Sequence, residues 1–181
     1  MILVVDLEAT CDEGVSFPTD QMEIIEIGAV WANDCGIVIE EFQTFVRPIL
    51  CTQLTSFCQQ LTSIKQADVD SAKNFIFAAA ALTDFSHRFQ DKGTVWGSWG
   101  QYDHKQLIRD SERHGISNPL SCFEHVNLKR QFAKNRKMKE VGMAKALQLV
   151  KLPLEGAHHR GIDDARNIAR LIPWCLSDGK R

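Results

Sequence analysis

The N-terminal run Ile2-Leu3-Val4-Val5-Asp6-Leu7-Glu8 constrains this chain more than any other stretch. Its aliphatic and β-branched residues read as a buried strand that closes with two carboxylates one residue apart. Side chains alternate faces along a strand, so Asp6 and Glu8 project from one side at the rim of a core. Two carboxylates held that close repel unless a cation sits between them, and a divalent metal with oxygen ligands is the usual solution. Taken alone, the run also fits an edge strand that dips its last acids into water, so the remaining ligands have to be sought along the chain.

The pattern after Glu8 predicts a loop from Thr10 to Gln21, then a strand over Ile24–Trp31. Asn33-Asp34-Cys35-Gly36 is a turn signal, and Ile37–Val46 supplies a third strand that Arg47-Pro48 stops. Three strands joined in this way form an antiparallel meander. The period then changes. A short helix is expected around Ser56–Gln60, a turn at Leu61–Ile64, and a helix through Ala72–Phe89 capped by Asp70 or Ser71. Val95–Trp99 reads as a strand, His104–His114 as a helix ended by Gly115, and Phe123–Leu128 as a fifth strand running into a short helix through Ala133. Gly142–Val150 and Asp163–Leu176 are the last helices, with a loop over Leu152–His159 between them. A meander followed by alternating helices and strands predicts a three-layer α/β domain with a five-stranded mixed sheet flanked by helices. With 181 residues and no internal repeat or linker, residues 1–181 are expected to form a single domain.

Composition narrows the function classes. No stretch approaches membrane-spanning length, and the Ile2–Val5 run ends in acids too soon for a secretory leader, so a cytoplasmic location is expected. The six cysteines form no C-x-x-C pair and read as reduced packing residues, neither a zinc site nor a disulfide framework. A net charge of −2 argues against gripping long nucleic acid by global charge. The charge is unevenly spread, however. Between Lys129 and Lys151 eight basic residues accompany one acid, Glu140, which leaves this segment near +7 and the remainder near −9. Such a segment is either a footprint for a polyanion or a solvated face.

A two-metal site needs further carboxylates, each delivered where an element begins. Asp103 follows the short strand at the start of a helix, and Asp164 lies in the first turn of the last one. Singly, each fits an ordinary capping acid, and Asp163 competes with Asp164 for either role. Together with Asp6 and Glu8 they make four acids at the ends of core elements. His159 precedes Asp164 by five residues in a loop, from which it can reach over the site and accept a proton near neutral pH; its neighbour His158 is the alternative.

At this point the sequence resembles the DEDD-type 3′→5′ exonucleases of the ribonuclease H-like fold, histidine subtype. The matching residues are Asp6-x-Glu8 within Val-Val-Asp-Leu-Glu-Ala-Thr-Cys, Asp103 within Trp99-Gly-Gln-Tyr-Asp, and His159 and Asp164 within His-Arg-Gly-Ile-Asp-Asp-Ala-Arg-Asn-Ile-Ala-Arg. The tyrosine subtype would carry Tyr at position 160, where this chain has Arg160. Glu-Ala-Thr-Cys, the Leu61–Ile64 turn followed by Gln66 and Val69-Asp70, and the long last motif are most similar to the ERI-1-like branch of RNA-degrading enzymes.

The resemblance implies that Asp6, Glu8, Asp103 and Asp164 hold two divalent cations, Mg²⁺ or Mn²⁺, with Asp6 shared between them and Glu8 close to the chemistry. It implies that His159 is the general base and that nucleoside 5′-monophosphates leave from single-stranded 3′ ends, RNA in preference to DNA. Leu7, Ala9 and Thr10 are expected to wall the 3′-end pocket with their backbone, and Phe57 and Tyr102 to stack on terminal bases. Three other functions fit the same fold: a DNA exonuclease of proofreading or repair type, a non-catalytic regulator that binds RNA or protein, and a phosphoesterase acting on very short substrates.

Overall fold

The computed structural model describes residues 1–14 and 18–176. Five strands form one mixed sheet in the order β3-β2-β1-β4-β5: β1 is Ile2–Ala9, β2 Ile24–Ala32, β3 Val38–Phe45, β4 Val95–Ser98 and β5 Glu124–Asn127. The expected meander is present, because β1–β2 and β2–β3 are antiparallel. The β1–β4 and β4–β5 pairs are parallel. The first strand therefore lies at the centre of the sheet with both faces covered, which is why its apolar run is continuous.

The helices divide between the two faces. On one side Leu3, Val5, Leu7, Ile27, Ala29 and Trp31 pack with Phe75, Leu82 and Phe85 of α3 (Phe75–Ser86) and Leu107 of α4 (Tyr102–Arg113). On the other side Ile2, Val4, Val30 and Ala32 meet α5 (Leu128–Asn135), α6 (Met143–Leu149), α7 (Gly161–Arg170) and α8 (Ile172–Cys175). Two short helices, α1 (Ser56–Thr62) and α2 (Gln66–Asp70), complete the set and pack Cys58 and Val69 around Ile25. Asp6 and Glu8 continue the face of Ile2 and Val4, so alternation along β1 aims both acids toward α7.

Several boundaries differ from the sequence expectation. The helix expected from Ala72 starts at Phe75, with Asn74 at its N-cap, and Asp70 instead ends α2. Ser71 and Ala72 turn the chain, and the entry to the helix is then pinned from outside: Arg47 N–H donates to the Lys73 carbonyl at 2.9 Å, and Arg47 bridges Asn74. The expected Asp163–Leu176 helix begins earlier, at Gly161, and breaks at Leu171, where Pro173 lies in the first turn of α8. The fifth strand stops at Asn127, whose side chain accepts from Arg130 N–H and caps α5, so Leu128 is helical. All six cysteines are free thiols. Among the described residues no helix is long and apolar enough to cross a membrane.

Candidate active site

Three elements meet where β1 ends. Parallel pairing runs β4 in the same direction as β1, with Gly97 beside Val4, and the chain leaving β4 turns at once into α4, with Asp103 in its first turn. Asp103 is buried, and its Oδ1 accepts the backbone N–H of Leu7 at 3.1 Å, which ties α4 directly to the Asp6–Glu8 segment. From the opposite side α7 brings in Asp164. Its close approach depends on two glycines: a Cβ on Gly28 of β2 would overlap the backbone of Gly161 and Ile162. One on Gly161 would press to 3.1 Å against the Asp6 carbonyl oxygen. A lone glycine inside a β-branched strand is the sequence mark of such a backbone contact.

Asp6, Glu8 and Asp164 each place a carboxylate oxygen within 4.8 Å of the others. Together with Asp103 they line a cavity of about 490 Å³, whose wall also includes Leu7, Ala9, Cys11, Met22, Leu61, Trp99, Tyr102, His158 and His159. Of the two acids at the start of α7, Asp164 faces this cavity, while Asp163 accepts Ala157 N–H at 2.9 Å and pairs with Arg166 at 2.7 Å. The helix geometry thus separates two neighbours that their spacing alone left in competition.

Crowding raises the affinity of these acids for protons. Burial, then the Asp103 and Glu8 charges, pushes Asp6 well above the usual carboxylate range. Burial, then Asp164 and Glu26, pushes Glu8 up to about 9. Asp103 rises to about 6 through burial, opposed by the Leu7 N–H that it accepts. Asp164 is raised by burial and held back by His158. Among the described residues no lysine or arginine forms an ion pair with any of the four; the sole partner is His158, with Nδ1 2.9 Å from Asp164 Oδ2. Oxygen donors in this density, with no basic side chain to answer them, are the donor chemistry of a hard divalent cation.

His159 has a left-handed backbone, φ 63°, and its N–H donates to Asp164 Oδ2 at 3.1 Å. Burial, then the neighbouring His158, lowers its pKa, leaving a neutral imidazole at neutral pH. The substrate-binding expectations divide. Leu7, Ala9 and Tyr102 line the cavity, whereas Phe57 and Thr10 are not part of its wall. Two of the backbone donors are already used: Leu7 N–H by Asp103, and Thr10 N–H by the Glu23 carbonyl at 2.8 Å. Tyr102 is 41% exposed, with the Arg109 guanidinium 6.0 Å from its ring centroid. Trp99 and Leu61 stand in motifs that carry the resemblance but were given no place in this wall, and no sequence pattern points to Met22. Trp99 is fixed by its indole N–H to the Val141 carbonyl at 2.9 Å, and Gly142 and Met143 beside that carbonyl line the cavity too.

Residues 3–172 match the family of exonucleases designated RNase_T. The chain belongs to that family. Relatives within it include human 3′-5′ exoribonuclease 1, which is 32% identical over 188 residues, spanning 98% of this chain and 53% of the human protein. The chain thus spans about half the length of that relative. The nuclease domain of 3′hExo, a DEDDh family member solved with rAMP bound, superposes with a TM-score of 0.88 at 29% identity, covering 98% of this chain and 92% of that one. A 3′-exonuclease described in 3′-end-specific recognition of a histone mRNA stem-loop gives a TM-score of 0.86 at 28% identity, covering 98% of this chain and 82% of that one. The five-stranded mixed sheet flanked by helices is the ribonuclease H-like fold of these DEDDh exonucleases.

Proposed function

We propose that this chain is a divalent-cation-dependent 3′→5′ exonuclease that releases nucleoside 5′-monophosphates from single-stranded 3′ ends, with RNA preferred to DNA. The observation that carries the reading is the group of carboxylates from Asp6, Glu8 and Asp164, within 4.8 Å of one another and without a lysine or arginine partner among the described residues. Asp6, Glu8, Asp103 and Asp164 would hold two Mg²⁺ or Mn²⁺ ions, which supply Lewis-acid stabilisation of charge on the scissile phosphate and its leaving oxygen. The RNA preference is taken from the activity in the names of the relatives and from the histone mRNA stem-loop that one of them recognises.

The chain's own groups have separate tasks in this reaction. The neutral His159 imidazole, beside the cavity, accepts the proton of the attacking water as the new P–O bond forms. Asp164 holds the His159 backbone through the 3.1 Å N–H contact and so fixes the direction from which that proton is taken. Asp103 uses one oxygen on Leu7 N–H, which keeps its remaining oxygen and the end of β1 in fixed relation. Tyr102 presents a partly exposed ring to a terminal base, and its position next to Asp103 couples base stacking to phosphate placement.

The test is digestion of matched 5′-end-labelled RNA and DNA single strands with Mn²⁺ or Mg²⁺, against EDTA and Asp6→Ala. Stepwise shortening from the 3′ end is expected, faster on RNA, abolished by EDTA and reduced roughly a thousandfold by Asp6→Ala. Intact oligomers in the presence of either metal would contradict the proposal.

A further inference from the structure

Behind the cavity a second buried polar side chain approaches Asp103. Ser98 ends β4 and is fully buried; the chain then bends through Gly100, φ 128°, into α4, which brings the Ser98 hydroxyl into hydrogen-bonding contact with the Asp103 carboxylate. Burial raises the proton affinity of Asp103, and the N–H groups of Leu7 and of Asp103 itself, with the Ser98 hydroxyl, oppose the rise. The hydroxyl is held in turn from β5. His125 pairs with Trp96 in the parallel register, and its Nε2 stands 3.0 Å from Ser98 Oγ. Its ring packs on two others: Trp96, with centroids 4.4 Å apart, and His104 of α4, with centroids 4.6 Å apart and planes 23° apart.

Burial, then His104, lowers the His125 pKa to about 4, so at neutral pH this ring is neutral, with one nitrogen that donates and one that accepts. A serine hydroxyl has one proton to give and can also accept. The Gly100 carbonyl lies 3.3 Å from Ser98 Oγ, so with Nε2 bare three groups compete for that proton: His125, Gly100 and Asp103. With the proton on Nε2, His125 donates to Oγ and leaves the hydroxyl hydrogen to the other two, of which an ionised carboxylate is the stronger acceptor.

We propose that Ser98 and His125 are positioning residues for cation binding: His125, carrying its proton on Nε2, aims the Ser98 hydroxyl at Asp103 and so fixes how that carboxylate faces the cavity. Neither side chain is part of the cavity wall, so each acts through Asp103, which Leu7 N–H and Ser98 O–H pin from two residues distant in sequence. The proposal deepens the cation-dependent reading above and rests on it.

The experiment measures Mn²⁺ affinity by isothermal titration calorimetry, which needs no turnover, for the wild type, Ser98→Ala, His125→Phe and His125→Gln, with circular dichroism and melting in EDTA to verify folding. His125→Phe keeps a ring to stack on Trp96 and loses the donor, whereas His125→Gln loses the ring and keeps an N–H, so the two variants tell positioning from packing. Ser98→Ala is expected to bind Mn²⁺ about tenfold or more weakly, His125→Phe several-fold more weakly, and His125→Gln close to the wild type, with kcat falling in step and recovering as Mn²⁺ is raised. Mn²⁺ affinity unchanged in Ser98→Ala or in His125→Phe, or lowered more in His125→Gln than in His125→Phe, would overturn the proposal. A wild type that binds no Mn²⁺ would overturn it together with the cation-dependent reading. The expected order of affinities in a protein that digests no oligomer would uphold the positioning and refute the exonuclease reading alone.

Discussion

Glu8 and Glu26 lie directly opposite each other on β1 and β2, aim at the same face, and meet different fates. Glu26 is fully buried, and its carboxylate is answered by protein groups: Arg160 Nε and Nη2 at 3.0 Å and 3.1 Å, Gly161 N–H at 3.0 Å, and the Gln43 amide at 3.0 Å. Glu8 has no basic side chain paired with it among the described residues, and its pKa climbs to about 9. The fold therefore has the means to neutralise a buried acid on this face and uses them one strand away. In the proposed function the acids at the end of β1 are left for a cation from outside, which would separate a structural carboxylate from a functional one here.

The largest expected effect comes from breaking the compensated half. Arg160→Ala leaves the Glu26 charge buried and unpaired and should cost about 3–5 kcal/mol in a denaturant titration. Adding Glu26→Gln to that variant should restore much of the loss. If Arg160→Ala were as stable as the wild type, Glu26 would be no better compensated than Glu8 and the contrast would fail.

A smaller effect should follow from the glycine contact that brings the two halves together. Gly28→Ala forces α7 away from β2, at about 1–3 kcal/mol for overpacking, and moves Asp164 with it. Oligomer digestion should then fall more steeply than stability. Equal activity at lower stability would show that Asp164 tolerates displacement.

The smallest effect concerns cations without acids. Lys134, Lys137 and Lys139 are exposed, and the ion pair found in their segment is Arg130 with Glu140 at 3.6 Å. Reversing the three charges should raise KM for an oligomer and flatten its salt dependence, by a slope of about 0.7 for each single-strand phosphate that is no longer neutralised. An unchanged KM and salt response would make this segment a solvated face.

Much of this architecture was legible from periodicity. The uninterrupted apolar run of β1, the Asn33–Gly36 turn and the helical stripe of α7 each state their element plainly, and the carboxylates at element ends stand out by spacing. What escaped was long-range pairing. The chain at Lys73 and Asn74 is held by Arg47, distant in sequence, so the apolar period suggested a helix start that tertiary contact forbids. The Arg160–Glu26 pair spans 134 residues, and no local pattern announces it. Leu7 and Thr10 looked like free backbone walls because nothing in the sequence shows that Asp103 and Glu23 consume their N–H groups. Asp164 was chosen over Asp163 by the family resemblance alone; spacing left the two equal, and the orientation of α7 supplies the physical difference between them.

If the β1 acids are held in place to receive a cation, thermal unfolding will register it. Glu8 has a folded pKa raised from 4.5 to about 9, so the stability it contributes is full below the lower value and is lost as pH rises toward the upper one. In EDTA the melting temperature should therefore fall between about pH 5 and about pH 8. Mn²⁺ should reverse the loss, raising Tm more at the higher pH, by about 2–4 °C for each kcal/mol of binding linkage. Asp6→Asn should abolish most of that Mn²⁺ increment. A wild-type Tm indifferent to Mn²⁺ at the higher pH, or an increment that persists in Asp6→Asn, would contradict the account.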